Sequence, residues 1–245
     1  MAIASAELLD IATRSLRANY FRLRNPQKSG TVTVITAGHR HYRHLWTRDF
    51  CYSVGGALQL GDLPAVRDSL GLILEAQRAD GLFPRLLDSI PFWLRIGLGS
   101  LGIPLPLTGR LRGNFCTEYG SLAFDSNLLM CWACAQYLQA SHDHDFLTQA
   151  YPRLTLGMAF YSPWTKNGLL YQPPFCDWQD TIDRRGHAFF TNLLYWKALD
   201  SLGTLATALK KPEEALRWDT RTQTVRQDIL RMFWDKQAGY FKNTA

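Results

Sequence analysis

Apolar residues at Leu8, Ile11, Ala12, Leu16, Tyr20 and Leu23 recur with a helical period and predict a helix over residues 6–23. The β-branched run TVTVIT at 31–36, just after Gly30, predicts a brief strand. Residues 49–60 are apolar nearly all round, with Gly55-Gly56 inside, which predicts a buried helix. Gly61-Asp62 ends it. Pro64 then opens a helix over 64–78, in a first turn where its missing N–H costs nothing, and Asp80-Gly81 stops that helix. Four more helices follow. Residues 122–139 and 187–209 are apolar on most faces; residues 146–161 and 212–233 are two-sided. The polar run SHDHD at 141–145 separates two of them, and the two prolines within 171–183 make that stretch a loop.

Seven helices and almost no strand predict an all-α chain, a single domain over residues 1–245, and argue against α/β folds. Fully buried helices alternate with half-buried ones, the pattern expected of an inner ring wrapped by an outer ring. The spacing is too uneven for a 34-residue solenoid repeat. Residues 90–107 carry a single charge, Arg95, among Pro91, Pro104, Pro106, Gly97, Gly99 and Gly102. So many breakers exclude a membrane-spanning helix and predict a long apolar loop folded over the domain, with a membrane or partner contact as its alternative.

Composition adds limits. With 47% hydrophobic and 20% charged residues, the chain is neither a disordered tail nor a collagen. Its 8 Trp, 10 Tyr and 13 Phe need a large core or a ligand cleft. Twenty-seven basic against 21 acidic residues give a net charge of +6, dispersed rather than striped, so no nucleic-acid partner is expected. Five cysteines without framework spacing favour a reduced compartment, and Glu7 and Asp10 stand where a secretory signal would be apolar. The expected location is cytoplasmic. Cys131-Trp132-Ala133-Cys134 is a lone pair within an apolar helix and reads as packing. His39, His41 and His44, and likewise His142 and His144, lack partners at ligand spacing, so no metal and no cofactor is expected.

Three motifs carry candidate chemistry. HLWTRDF at 44–50 offers Trp46 as an aromatic face and Arg48 and Asp49 as planar hydrogen-bonding groups, the set a sugar needs. The alternative is a helix cap with a local ion pair. CDWQDTIDRRG at 176–186 places Asp177, Asp180 and Asp183 around Trp178. A carboxyl beside an indole in a water-poor cleft can protonate a leaving group; a solvated loop paired with Arg184 and Arg185 is the alternative. FDSN at 124–127 opens an apolar helix, with Asp125 as a cap or a hydroxyl acceptor at a cavity rim. Each motif lies just before an inner-type helix. In a ring, those N-termini converge on one mouth, so the three are expected to be spatial neighbours.

Trp46-Thr47-Arg48-Asp49 resembles the sugar-anchoring tetrapeptide of glucoamylase-like glycosidases. The segment from Gln77 to Pro84 (QRADGLFP) resembles one found in glycogen-debranching glucosidases. Asp177-Trp178-Gln179-Asp180, then Gly186-His187 and Asn192–Leu199 (NLLYWKAL), resemble their general-acid loop and inner helix. The similarity runs over about residues 40–240 and points to the six-hairpin glycosidase superfamily. It implies an (α/α)6 toroid, incomplete here at about seven of twelve helices, and inverting, exo-acting hydrolysis of an α-linked glucoside or related sugar. By the same resemblance Asp180 is the general acid; Arg48 and Asp49 hold hydroxyls of the terminal sugar, with Trp46 stacking nearby. Trp178 and Asp177 line the pocket, and Asp125 takes a less closely matched rim position. Phe190 stands where those enzymes commonly carry an acid, and Asp177 where they carry Thr, which weakens a glycogen branch as substrate.

At the density of seven helices in 245 residues, twelve need about 420. The chain is therefore expected to be an N-terminal portion. Inversion needs a second carboxylate roughly 6.5–9.5 Å from the acid, and the resemblance puts that base in later hairpins. Such a portion is expected to be inactive alone and prone to self-association through exposed inner helices. The reading from another class is a non-catalytic carbohydrate-binding or scaffolding helical protein; a toroidal lyase or cyclase would need a basic cleft or an Asp cluster that the sequence does not offer.

Overall fold

The computed structural model describes residues 5–25, 30–38, 42–103 and 105–245. Helix α1 (Ser5–Arg17) leads into the antiparallel pair β1 (Tyr20–Asn25) and β2 (Gly30–Ile35). Then come β3 (Leu45–Trp46), α2 (Thr47–Gln59), α3 (Leu63–Glu75), β4 (Leu86–Asp88), α4 (Phe92–Ser100) and β5 (Arg112–Asn114). Strands β3, β4 and β5 form one small antiparallel sheet. Helices α5 (Ser126–Ser141) and α6 (His144–Ala159) follow, then the two-residue strands β6 (Thr165–Lys166) and β7 (Leu169–Leu170). Helices α7 (Phe189–Ala208) and α8 (Pro212–Phe233) precede a last short pair, β8 (Trp234–Asp235) and β9 (Tyr240–Phe241).

The two-ring arrangement is present. Helices α2, α5 and α7 lie side by side, α5 touching both of the others. Helix α3 packs against α2 and α5, α6 against α5 and α7, and α8 against α7, so each outer helix backs the inner row. Apolar surface dictates this layering: eleven residues of α5 are buried, from Ser126 to Leu138, and a helix apolar all round is stable only when covered on all sides. The outer helices are closed by local chemistry. Asp143 accepts a hydrogen bond from the Phe146 N–H at 2.9 Å and caps α6. Pro212 opens α8 with Glu213 and Glu214 in its first turn, where acids suit the helix dipole. Cys131 and Cys134 are buried, and burial pushes the Cys134 thiol up to about 12, as expected of packing cysteines.

Two buried asparagines tie the inner helices to the turns beside them. The Asn127 side chain accepts from Phe83 N–H at 2.7 Å and donates to the carbonyls of Gly157 at 2.7 Å and Gly81 at 3.1 Å. Asn192 does the same for α7, accepting from Leu170 N–H at 2.7 Å and donating to Ala188 O at 2.9 Å and Leu170 O at 3.1 Å. Gly81 is held at φ +94°, and a side chain there would collide with the Leu156 carbonyl, so the turn that Asn127 grips requires glycine.

Two expectations are corrected. The helix over 6–23 stops at Arg17, and Tyr20 and Leu23 belong to β1. Residues 20–25 also alternate, and pairing with β2 buries Leu23 and Val34. The pair is pinned to α3 by Asp68 accepting from Thr33 N–H at 2.8 Å and Ser69 from Ile35 N–H at 3.1 Å. That tertiary burial outweighs local helix preference. The loop over 90–107 contains α4, which brings the helices among the described residues to eight. Arg95 is buried and pairs both carboxylate oxygens of Asp88 at 2.6 Å, which holds the short helix down despite Gly97 and Gly99. Pro104, like His39 and His41, lies outside the described residues. No helix among them is long and apolar enough to cross a membrane.

Replacing Asn127 with Ala strands one N–H and two carbonyls in the core. We expect a loss of about 3 kcal/mol of stability, read as a lower denaturant midpoint with an unchanged slope. An unmoved midpoint would show that the turn does not depend on the amide.

Candidate active site

The N-terminus of α2 is docked on the segment before β4. Thr47 Oγ donates to Pro84 O at 2.6 Å, and Thr47 N–H donates to Arg85 O at 2.9 Å. This sets Arg48 and Arg85 on the same wall. Arg48 reaches α5 by a forked ion pair with Asp125, Nε to Oδ2 at 2.5 Å and Nη2 to Oδ1 at 3.2 Å. Its Nη1 lies 3.8 Å from Asp180 Oδ2. The convergence expected from three separate motifs is therefore met: residues from the approaches to α2, α5 and α7 meet within ion-pair distance.

Asp125 does not stand at a rim. It is 1% exposed, makes no capping bond to α5, and is taken up by Arg48. A buried carboxylate facing a guanidinium fork gains more from that pair than from a cap. For Arg48, burial alone would weaken its hold on the proton, but the charge and hydrogen bonds of Asp125 outweigh it, so Arg48 stays firmly protonated.

Asp49 is exposed, on a cavity of about 300 Å³ that it lines with Asn19, Thr36, Arg48 and Tyr52. Lost hydration beside this wall pushes its carboxyl above the usual carboxylate range, against the pull of Arg48. A larger cavity, about 430 Å³, lies on the outer face between α3 and α6 and touches none of the seven residues singled out.

Trp46 is 8% exposed and faces protein rather than open cleft. The Arg85 guanidinium stacks on its indole at 4.3 Å, and Phe92 of α4 meets the same ring edge-on at 5.9 Å. Trp178 is the aromatic at the opening: it is half exposed, with Phe190 at 6.0 Å. Asp177 lies beneath its loop, 1% exposed. It accepts from Gln172 Nε2 and from Gln179 N–H, each at 2.9 Å, and pairs with Arg184 at 3.2 Å. It is the loop's internal anchor, whereas Asp183 forms an exposed pair with Arg185 at 2.8 Å.

Sequence reasoning missed Arg85, Glu118 and Tyr119. Arg85 is 4% exposed and donates to Asp180 Oδ2 at 2.9 Å and to both Glu118 oxygens at 2.8 and 3.0 Å. Tyr119 stacks on Phe175, beside the loop that carries Asp180, at 4.6 Å. Arg85 directly follows the QRADGLFP segment and could have been included with it; Glu118 and Tyr119 sit in a polar loop with no spacing signal.

Inner helices backed by outer helices, with charged residues gathered at the inner N-termini, define an (α/α) toroid of the glycosidase kind. Residues 123–245 match the bacterial alpha-L-rhamnosidase six-hairpin glycosidase domain, and the chain belongs to that family. A rhamnosidase from Klebsiella oxytoca, solved with rhamnose bound, is similar in structure at TM-score 0.63 and 18% identity, over 83% of this chain and 36% of its own. The GH63 mannosylglycerate hydrolase from Thermus thermophilus, solved with Tris and D-glycerate, aligns at TM-score 0.64 and 14% identity, over 96% of this chain and 67% of its own. A bacterial glucoamylase complexed with acarbose aligns at TM-score 0.55 and 13% identity, over 83% of this chain and 25% of its own. No curated protein matches by sequence.

If Asp177 anchors the loop that carries Asp180, Asp177→Ala loosens residues 175–186. Trypsin is then expected to cut after Arg184 and Arg185 about tenfold faster or more, since local opening governs cleavage. Asp183→Ala, which removes only an exposed pair, should leave the rate unchanged. Equal rates in all three proteins would remove Asp177 from this role.

Proposed function

We propose that this chain is the acid-bearing part of an exo-acting, inverting glycosidase that hydrolyses an α-linked glucoside or related sugar. The observation that carries the reading is the meeting of Arg48, Asp125 and Asp180 from three inner-helix N-termini. In this reading Asp180 protonates the departing glycosidic oxygen, and the base that activates water is supplied by later hairpins of the toroid. Asp49 and Arg48 hold hydroxyls of the terminal sugar. Trp178, with Phe190 beside it, offers an aromatic wall to the C–H face of the ring. Trp46, Asp125 and Asp177 serve by fixing Arg85, Arg48 and the acid loop.

An aromatic wall also suits a sugar poor in hydroxyls, and the rhamnosidase match brings a 6-deoxyhexoside in as the related sugar. The mannosylglycerate hydrolase and the glucoamylase leave a mannoside and a glucoside in the comparison. A panel of nitrophenyl α-glycosides separates the three. We place the protein in a reducing compartment, the cytoplasm, on its five cysteines without framework spacing.

On the chain itself, titration with the matching monosaccharide should saturate, and Asp49→Ala should weaken binding by about tenfold or more, the value of a charged hydrogen bond. With the toroid completed, Asp180→Asn should lower kcat by about 10²-fold to 10⁴-fold and leave sugar binding intact. Undiminished hydrolysis in that variant would sink the acid assignment. Saturable binding with no turnover from the completed toroid would favour a carbohydrate-binding protein instead.

A further inference from the structure

Arg85 sits at the centre of the wall, and its hydrogen-bond donors are nearly all assigned. Nη1 donates to Glu118 Oε1 at 3.0 Å and to Cys116 O at 3.3 Å. Nη2 is shared between Glu118 Oε2 at 2.8 Å and Asp180 Oδ2 at 2.9 Å. Glu118 thus takes the guanidinium edge-on with both oxygens, and Asp180 is left with one contact. A carboxylate in the bidentate seat is held far more firmly than one in the single seat.

The seat of Glu118 is built into the fold. Its loop is closed by Thr117 N–H donating to Ser121 O at 2.7 Å and Ala123 N–H donating to Phe115 O at 3.0 Å, with Gly120 at φ +76° making the turn. The Tyr119 ring, stacked on Phe175, fastens the loop to the one that carries Asp180. Arg85 itself cannot swing freely, because it is clamped between its ligands and the Trp46 indole.

We propose that Glu118, acting through Arg85, is a positioning residue for Asp180: by filling the bidentate edge of the guanidinium it keeps Asp180 to a single hydrogen bond from Arg85 and so free to act as the acid. This rests on the reading of Asp180 as the acid. The other charges around Asp180 are Arg48 on α2, which Asp125 largely neutralises, then Asp49 beside it, and on its own loop the Asp177–Arg184 and Asp183–Arg185 pairs. Arg85 approaches Asp180 more closely than Arg48 does, at 2.9 Å against 3.8 Å, and Glu118 is the group that competes for it.

The test needs no turnover. The protein is labelled with ¹³C-carboxyl aspartate, the Asp180 signal is assigned by its absence in Asp180→Asn, and its protonation midpoint is followed by NMR. Glu118→Gln frees the fork for Asp180 and removes a negative charge, so the midpoint should move to lower pH than in the parent chain, by roughly half a unit or more. Arg85→Met removes the positive charge, so the midpoint should move to higher pH, by roughly one to three units. Opposite movement is the signature; general loosening of the wall would send both the same way. An Asp180 midpoint that stays put or rises in Glu118→Gln overturns the proposal, and that variant, half exposed at its site, decides the matter even where Arg85→Met does not fold. Loss of the acid assignment would show instead as hydrolysis retained in Asp180→Asn, independently of where Asp180 titrates.

Discussion

The pair between Arg48 and Asp125 is the contact on which the mouth of this toroid depends. It joins the first turn of α2 to the residue before α5, it is almost without solvent, and it leaves each partner only one sensible position. Two charges brought out of water cost several kcal/mol each unless they meet in good geometry, so neither residue can be removed alone without stranding the other. Because Arg48 is tethered on one side, its remaining Nη1 is presented toward Asp180. Because Asp125 is tethered, it is withdrawn from solvent and from helix capping. The arrangement of the wall follows from that one exchange.

Backbone satisfaction does the corresponding work deeper in. An inner helix has turns pressed against its flank, and those turns carry N–H and C=O groups that water cannot reach. Asn127 and Asn192 meet them with one amide each, both in the first turn of their helices α5 and α7. The recurrence gives the two hairpin units the same internal brace. It also explains why polar residues occur near the start of helices that are otherwise apolar.

What could be read from the sequence divides along physical lines. The layering of the long helices was legible because burial on all faces or on one face leaves a direct trace in the pattern, as in 122–139 against 146–161. Convergence of the motifs was legible because helix N-termini in a ring share an end. The strand at Tyr20–Asn25 was not, since its apolar residues fit both a period of 3.6 and a period of 2, and only the partner strand decides. Helix α4 was hidden because its stability comes from a long-range pair, Arg95 with Asp88, inside a stretch full of helix breakers. The site was half legible. Arg48 meets Asp180, and Trp178 and Asp49 are exposed, as the motifs suggest, but whether Trp46, Asp125 and Asp177 face solvent or protein depends on Arg85, Arg48 and Arg184, and no spacing rule links those partners.

The same Arg95 has a wider consequence. Besides Asp88 it donates to the carbonyls of Leu105 at 2.9 Å and Pro106 at 3.3 Å, so one side chain fastens both the departure and the return of the excursion between β4 and β5. A detour clipped at its own neck leaves and rejoins the small sheet at fixed points, and Phe92 of α4 is thereby held against Trp46, on which Arg85 stacks. The excursion is thus a brace laid over the wall: its one buried cation keeps in place the helix that presses on the indole behind Arg85.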